Sequence, residues 1–268
     1  MRVLGLDLAW GEGAPGRPAN ETGVVAADPD GQVLDAGWAR GLDDVESWIG
    51  TWAGADAIAL VDAPLVVRNA AGMRECERQV ARHYGRWKVS ANASNLGLAA
   101  LAGVSLVGRL AADGWRAADA RHGPPGAGRW LYESFPYATL VGAPELGYDS
   151  ARPIYKRRPP TLTPAEFRAL RAENVDDLVR RLGALRAADP PIDIGSHPVT
   201  AALLDEPSPL VDRAAKHRED LVDAVVLAWS GLLWLRHGLD RCVVLGDPTD
   251  DTDPPAQILA AIRPEQRR

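Results

Sequence analysis

The chain has 268 residues, 46% hydrophobic and 25% charged, enough for one large domain with a sizeable core. Its net charge of −6 supplies no global positive field, which counts against coating nucleic acid or an anionic membrane by charge alone, although local patches can override it. Two cysteines far apart, Cys76 and Cys242, exclude a disulfide framework and a Cys-based zinc motif.

The opening "RVLGLDLAW" is a short apolar run rich in Val and Leu, which suits a buried strand. Its apolar run is too short for a signal peptide and has an acid in its middle. Residues 22–28 and 32–40 flank "PDG" and read as a hairpin. Residues 42–52 carry Leu42, Val45, Trp48, Ile49 and Trp52 at helical spacing, with Asp43 and Asp44 where the helix dipole favours acids. Residues 57–65, "AIALVDAPL", form a second buried strand stopped by Pro64. A helix joining elements of one sheet points to an α/β fold.

Residues 68–88 are basic and part helical, and residues 93–112 are apolar enough for a long helix. "RWLYESFPYATLVG" reads as a strand ending near Glu133, then a turn and a short helix after Pro136. Thr163 caps a helix running from Pro164 to about residue 188. Residues 192–209 are polar and Pro-rich, with a short helix among loops. Residues 216–238 form a buried helix, "RCVVLGD" a short strand, and the tail beyond Pro248 a loop followed by a frayed helix. The longest apolar run near the C-terminus, residues 224–235, falls short of the ~20 residues of a membrane span. A soluble, cytoplasmic protein without membrane contact is expected. The Pro-rich loops are short, so one domain with insertions is preferred to two.

Carboxylates recur at one kind of place. Asp7 and Asp62 end buried strands, and Glu133 ends or follows the third. Asp220 and Asp223 lie three apart on the late helix, hence on one face. Parallel strands bring such ends to one sheet edge, where open α/β sheets bind ligands. Two carboxylates ~5 Å apart repel by roughly 3 kcal/mol at an effective dielectric of 20. Several in one pocket therefore require protonation or a cation. Hard oxygen ligands suit Mg2+ or Mn2+, and two such ions serve phosphodiester hydrolysis. Each acid also has a structural reading. Asp7 and Asp62 alone can be turn formers, Asp220 can answer the helix dipole, and Glu133 can hold a salt bridge. Asp223 is hardest to explain this way, because Leu221, Val222, Ala224, Val225, Val226 and Leu227 surround it.

"GLDLAW", "VDAPL", "ESFPYA", "YKRRP" and "HREDLVDAVVLAW", in that order, resemble a bacterial domain-of-unknown-function family, number 429, regarded as predicted nucleases of ribonuclease H fold. The resemblance spans about residues 1–246 and implies a mixed central sheet with flanking helices and helical insertions at about residues 64–92 and 142–212. Within that superfamily the chain looks most like the RuvC-type resolvases, which carry an acid on the first strand, one on the fourth, and a pair on the last helix. By that resemblance Asp7, Asp62, Asp220 and Asp223 would be ligands of Mg2+ or Mn2+, with His217 an auxiliary polar group. The fourth-strand acid is Asp rather than Glu. Ribonuclease H proper has a Glu on its first helix, for which Glu46 is the loose match. Glu133 has no counterpart there, although it belongs to the "ESFPYA"-like motif.

Arg74, Arg78, Arg82 and Arg86 recur every fourth residue and form one stripe if residues 72–84 are helical. Lys156, Arg157 and Arg158 precede a rigid Pro-Pro. Either cluster could hold a nucleic-acid backbone, with Arg74, Arg78, Lys156, Arg157 and Arg158 as phosphate contacts, or form a solvated face. The Gly-rich residues 11–23 lack a P-loop ending. Three readings remain. The first is a two-metal nuclease. The second is a catalytically idle protein of the same fold that binds a partner or a small anion. The third is an actin-like phosphotransferase using Thr22 and the first hairpin, a fold that needs a second such domain. Oligomeric state is not readable from the sequence.

Overall fold

A computed structural model describes residues 1–14, 16 and 18–267. Strand β1 (Arg2–Asp7) pairs antiparallel with β2 (Glu21–Ala27), which pairs antiparallel with β3 (Val33–Arg40). Asp28 closes the hairpin turn: its Oδ1 accepts from the backbone N–H groups of Asp30 and Gln32 at 3.0 and 2.9 Å. Helix α1 (Gly41–Trp52) leads to β4 (Ala57–Val61), parallel to β1. Helices α2 (Glu75–Tyr84) and α3 (Ala102–Leu110) precede β5 (Trp115–Ala117) and β6 (Arg129–Glu133), which complete a parallel half-sheet. The strand order β3-β2-β1-β4-β6-β5 is that of a ribonuclease H-like α/β fold, a mixed central sheet flanked by helices.

The sheet separates two hydrophobic clusters. Leu4, Leu6 and Val24 meet Ile49 of α1 and Leu106 of α3 on one face. On the other face the sheet packs against α7 (Asp212–His237), which follows α4 (Pro136–Gly142), α5 (Pro164–Ala184) and α6 (Pro198–Asp205) in the chain. Thr163 caps α5 as expected, with Glu166 completing a capping box. Two glycines decide how closely α7 sits. A Cβ on Gly5 would lie 2.1 Å from the Ala224 carbonyl oxygen, and one on Gly23 would lie 2.0 Å from that of Asp220. Any side chain at either position would drive the helix away from the strand ends.

Local expectations fail where long-range contacts decide. The tail is not a frayed helix: β8 (Ile258–Ala261) pairs antiparallel with β7 (Cys242–Leu245) and is buried. The helix expected over residues 93–112 shrinks to α3. The backbone and hydroxyl of Ser94 donate to Glu77, and the Asn95 amide donates to the Gly72 carbonyl at 3.1 Å, holding that segment as a loop. The arginine stripe also breaks up. Helix α2 starts at Glu75, so Arg74 precedes it and is buried, while Arg78 and Arg82 face solvent and pair with Glu75. Among the described residues no helix is long and apolar enough to cross a membrane.

Candidate active site

Strand register gathers the first two acids. Leu6 pairs with Val61, and the Asp62 N–H continues the ladder by donating to the Leu6 carbonyl at 2.9 Å. Asp7 and Asp62 thus lie level, one residue beyond a matched pair, on the face covered by α7. Ser134 completes the row, since its N–H donates to the Val61 carbonyl at 2.9 Å. Glu133, one residue earlier, faces the opposite side of the sheet by strand alternation.

Helix α7, seated on Gly5 and Gly23, brings Asp220 and Asp223 to this edge. The Asp220 carboxylate stands near enough to Asp7 for that charge to raise its pKa. Asp223 is fully buried; its Oδ1 accepts from the Tyr155 hydroxyl at 2.8 Å. Lys156 Nζ stands 2.6 Å from Asp223 Oδ2 and 3.5 Å from Asp62 Oδ2. Asp223 Oδ2 is held by this close ion pair and meets no other donor. Lys216 Nζ lies 2.5 Å from Asp220 Oδ1 and 2.9 Å from Glu219 Oε1. Two ammonium groups thus face the four aspartates.

Electrostatics record the crowding. Burial, opposed by Lys156 and reinforced by Asp7, pushes the Asp62 carboxyl up to about 8. Burial and the charge of Asp7, opposed by Lys216, push Asp220 up to about 8. Burial raises Asp223 as well, against Lys156. Burial alone would lower the Lys156 ammonium, but Asp223, Asp62 and Asp7 together hold it well above the ordinary lysine value. When all four aspartates are ionised their charge exceeds that of the two lysines and favours a further cation, whereas Asp62 and Asp220 held neutral below about pH 8 leave no such excess.

Oxygen-only donors suit Mg2+ or Mn2+. Yet among the described residues no three or more His, Cys, Asp or Glu side chains form a group placed to hold a metal ion. The lysines stand among the carboxylates, and an ion would have to displace them.

The other expected residues divide. Glu133 accepts from Arg74 Nη1 at 2.8 Å, Arg74 Nη2 at 2.5 Å and the Leu65 N–H at 3.0 Å. Arg74 also pairs with Glu77 at 2.8 Å. These three form a buried network that ties the segment after β4 to β6 and lines the same cavity as Asp7 and Asp62. Arg78 lies outside the site, paired with Glu75 at 2.7 Å. Arg158 is exposed and donates to the Leu162 carbonyl. His217 stacks on Trp38 with ring centroids 3.6 Å apart, and its Nδ1 lies 2.7 Å from Glu21 Oε2. Glu46 pairs with Arg109 on the opposite face of the sheet. Cys76 and Cys242 are free and buried.

Beside the acids opens a cavity of about 320 Å3 whose lining includes Asp7, Asp62, Ser134, Trp10, Lys156 and Arg157. Sequence reasoning missed Ser134, Tyr155 and Lys216 as neighbours of the acids. Ser134 alone had a readable signal, since it follows Glu133 in the motif and alternation would have turned it to the face of Asp7.

No curated protein and no solved structure matches the chain. The family model described as "Protein of unknown function (DUF429)" matches residues 5–250, from β1 to beyond β7, and the chain belongs to that family.

Proposed function

We propose that this protein is a divalent-metal-dependent hydrolase of phosphodiester bonds in nucleic acid. The observation that carries the proposal is the convergence of Asp7, Asp62, Asp220 and Asp223 on one sheet edge, three of them buried and Asp62 half-buried, with only two lysines among them. Asp7, Asp62 and Asp223 would hold Mg2+ or Mn2+, with Asp220 assisting. When bound, such ions lower the pKa of water and stabilise a leaving oxygen. The chain's own residues supply orientation and charge. Tyr155 fixes the rotamer of Asp223 through Oδ1, leaving Oδ2 against Lys156 Nζ at 2.6 Å. Lys156, released from Asp223, can swing its ammonium to a phosphate oxygen beside the same carboxylates. Arg157 lies on the same cavity wall and adds a second positive contact.

The test is cleavage of single-stranded and duplex DNA and of RNA with Mg2+ or Mn2+, by wild type, Asp7→Asn and Asp223→Asn. Cleavage by wild type and at least a hundredfold loss in each variant is expected, since removing a metal ligand removes several kcal/mol of transition-state stabilisation. Metal-dependent cleavage that survives both substitutions would refute the assignment.

A second reading has its own support. Lys156 and Lys216 meet the acids directly, as internal cations do in a protein that binds a partner or a small anion without chemistry. Under that reading no divalent ion changes the protein's thermal stability.

A further inference from the structure

The cavity beside the acids is lined by both cations and acids, and that chemistry narrows what enters. We infer that it receives a single nucleoside monophosphate unit, free or at the end of a strand, a step that rests on the phosphodiester reading above. Size is the first argument. About 320 Å3 stands at the lower end of small-ligand cavities, about 300–1,000 Å3. A duplex, whose major groove alone is about 12 Å wide, does not enter such a space.

Charge is the second. Among the described residues, the cavity's Arg74 and Lys156 pair with carboxylates, while Lys88, Arg152 and Arg157 pair with none. Arg152 is held in place: its Nε donates to the Lys88 carbonyl at 2.9 Å, and its guanidinium lies over the Tyr137 ring at 4.6 Å. Lys88 is set by the backbone: it adopts a left-handed conformation, φ 60°, as the cap of the 3-10 turn Gly85–Trp87, with its N–H donating to the Gly85 carbonyl at 2.9 Å. The same cavity is thus lined by cations without a carboxylate partner and by the acids Asp7 and Asp62, a combination that suits a phosphate bound beside a cation.

The third argument is the unused polar and aromatic surface. Ser134 is 1% exposed, lies level with Asp7 and Asp62, lines the cavity, and its Oγ has no hydrogen-bond partner. A buried hydroxyl left this way is ready for a ligand oxygen. The ring of Trp10, half-buried on the cavity wall, is pinned by its Nε1–H donating to the Asp62 carbonyl at 3.3 Å. An aromatic face beside a phosphate position suits a stacked base, and stacking tolerates any base. The exposed Ser90 and Asn92 stand on the same cavity and can meet a base edge.

The experiment titrates the full chain, with Ca2+ present, by thymidine 5′-monophosphate, thymidine, inorganic phosphate, a 5′-phosphorylated single strand and a blunt duplex. Wild type is compared with Arg157→Ala, Trp10→Ala, Ser134→Ala and the distant, exposed Arg168→Ala, after thermal unfolding confirms that each is folded. The expected result is binding of the monophosphate, weakened about tenfold or more by Arg157→Ala and by Trp10→Ala and unchanged by Arg168→Ala. Strand binding that shows the same two losses identifies the ligand as a strand end. Monophosphate binding without strand binding identifies a free nucleotide, upholds the cavity assignment and removes the nuclease reading. Metal-dependent cleavage of strands by a protein that binds no monophosphate overturns the cavity assignment and leaves the nuclease reading standing. Monophosphate binding insensitive to both substitutions also overturns it.

Discussion

Asp62 and Asp220 are carboxyls that the fold holds in their neutral form more tightly than water does. Both are pushed up to about 8, while an aspartate in the unfolded chain titrates near ~3.9. The folded chain therefore binds their protons more tightly than the unfolded chain does. The stability this brings is fully present below about pH 4 and is lost as pH rises through about 8. In chelator, wild type should lose stability across that window, and Asp62→Asn or Asp220→Asn should flatten the loss. Above about pH 8 each variant should melt higher than wild type by about 2–4 °C for each kcal/mol recovered. Thermal unfolding across pH measures this, and a lower midpoint for both variants would show that the pairs with Lys156 and Lys216 outweigh the crowding. Arg74 behaves in the opposite way. It neutralises the buried Glu133 and Glu77, so Arg74→Met should cost about 3–5 kcal/mol in urea unfolding by leaving charges unpaired. Arg78→Ala, four residues on and exposed, should stay within about 0.5 kcal/mol. A mild Arg74→Met would return that residue to the candidates for substrate contact.

At the scale of elements, the site depends on one helix lying against two strands with nothing between them. Gly23→Ala would place a methyl group 2.0 Å from the Asp220 carbonyl, and Gly5→Ala would do the same near Ala224. Each should cost at least the ~1–3 kcal/mol of an overpacked core and displace the acids of α7. Loss of any stabilisation by Mn2+ should accompany that cost in a thermal melt; a variant with unchanged stability and ion response would mean that α7 tolerates a wider seat. Removing residues 257–268 should be equally damaging, because β8 is buried against β7 and bridges to Ser134. Soluble yield and unfolding midpoint decide this, and an unaffected truncation would show the tail to be dispensable. The sequence made some of these elements legible and hid others for a physical reason. The β2–β3 hairpin, α1, the Thr163 cap and the run of α7 announce themselves through periods, caps and turns that act within a few residues. The strand Ile258–Ala261 has four apolar residues, too few to reveal a period, and only its partner Cys242–Leu245 makes it a strand. The edge strand Trp115–Ala117 is shorter still. The gathering of Asp7, Asp62, Asp220 and Asp223 was legible from strand ends and helix spacing. The burial of Arg74 and the place of Lys156 among the acids were not, since both depend on contacts across 59 or more residues of chain.

Across the whole molecule, a chain of net charge −6 sets four aspartates at one sheet edge and, among the described residues, lines the adjoining cavity with three cations that pair with no carboxylate. Such a molecule is not steered to nucleic acid by its overall field. It needs local contacts, and a cation at the acids would supply the largest of them. The most direct measurement is therefore calorimetric titration of the full chain with Mn2+ and Mg2+, alone and with a phosphorylated oligonucleotide, beside Asp7→Asn. Asp7 is the choice because its charge acts on Asp62, Asp220 and Asp223 alike. The metal-site account predicts saturable binding by wild type that Asp7→Asn abolishes. No binding by wild type under either condition, or binding that Asp7→Asn leaves intact, would contradict it and leave Lys156 and Lys216 as the cations the acids were gathered to meet.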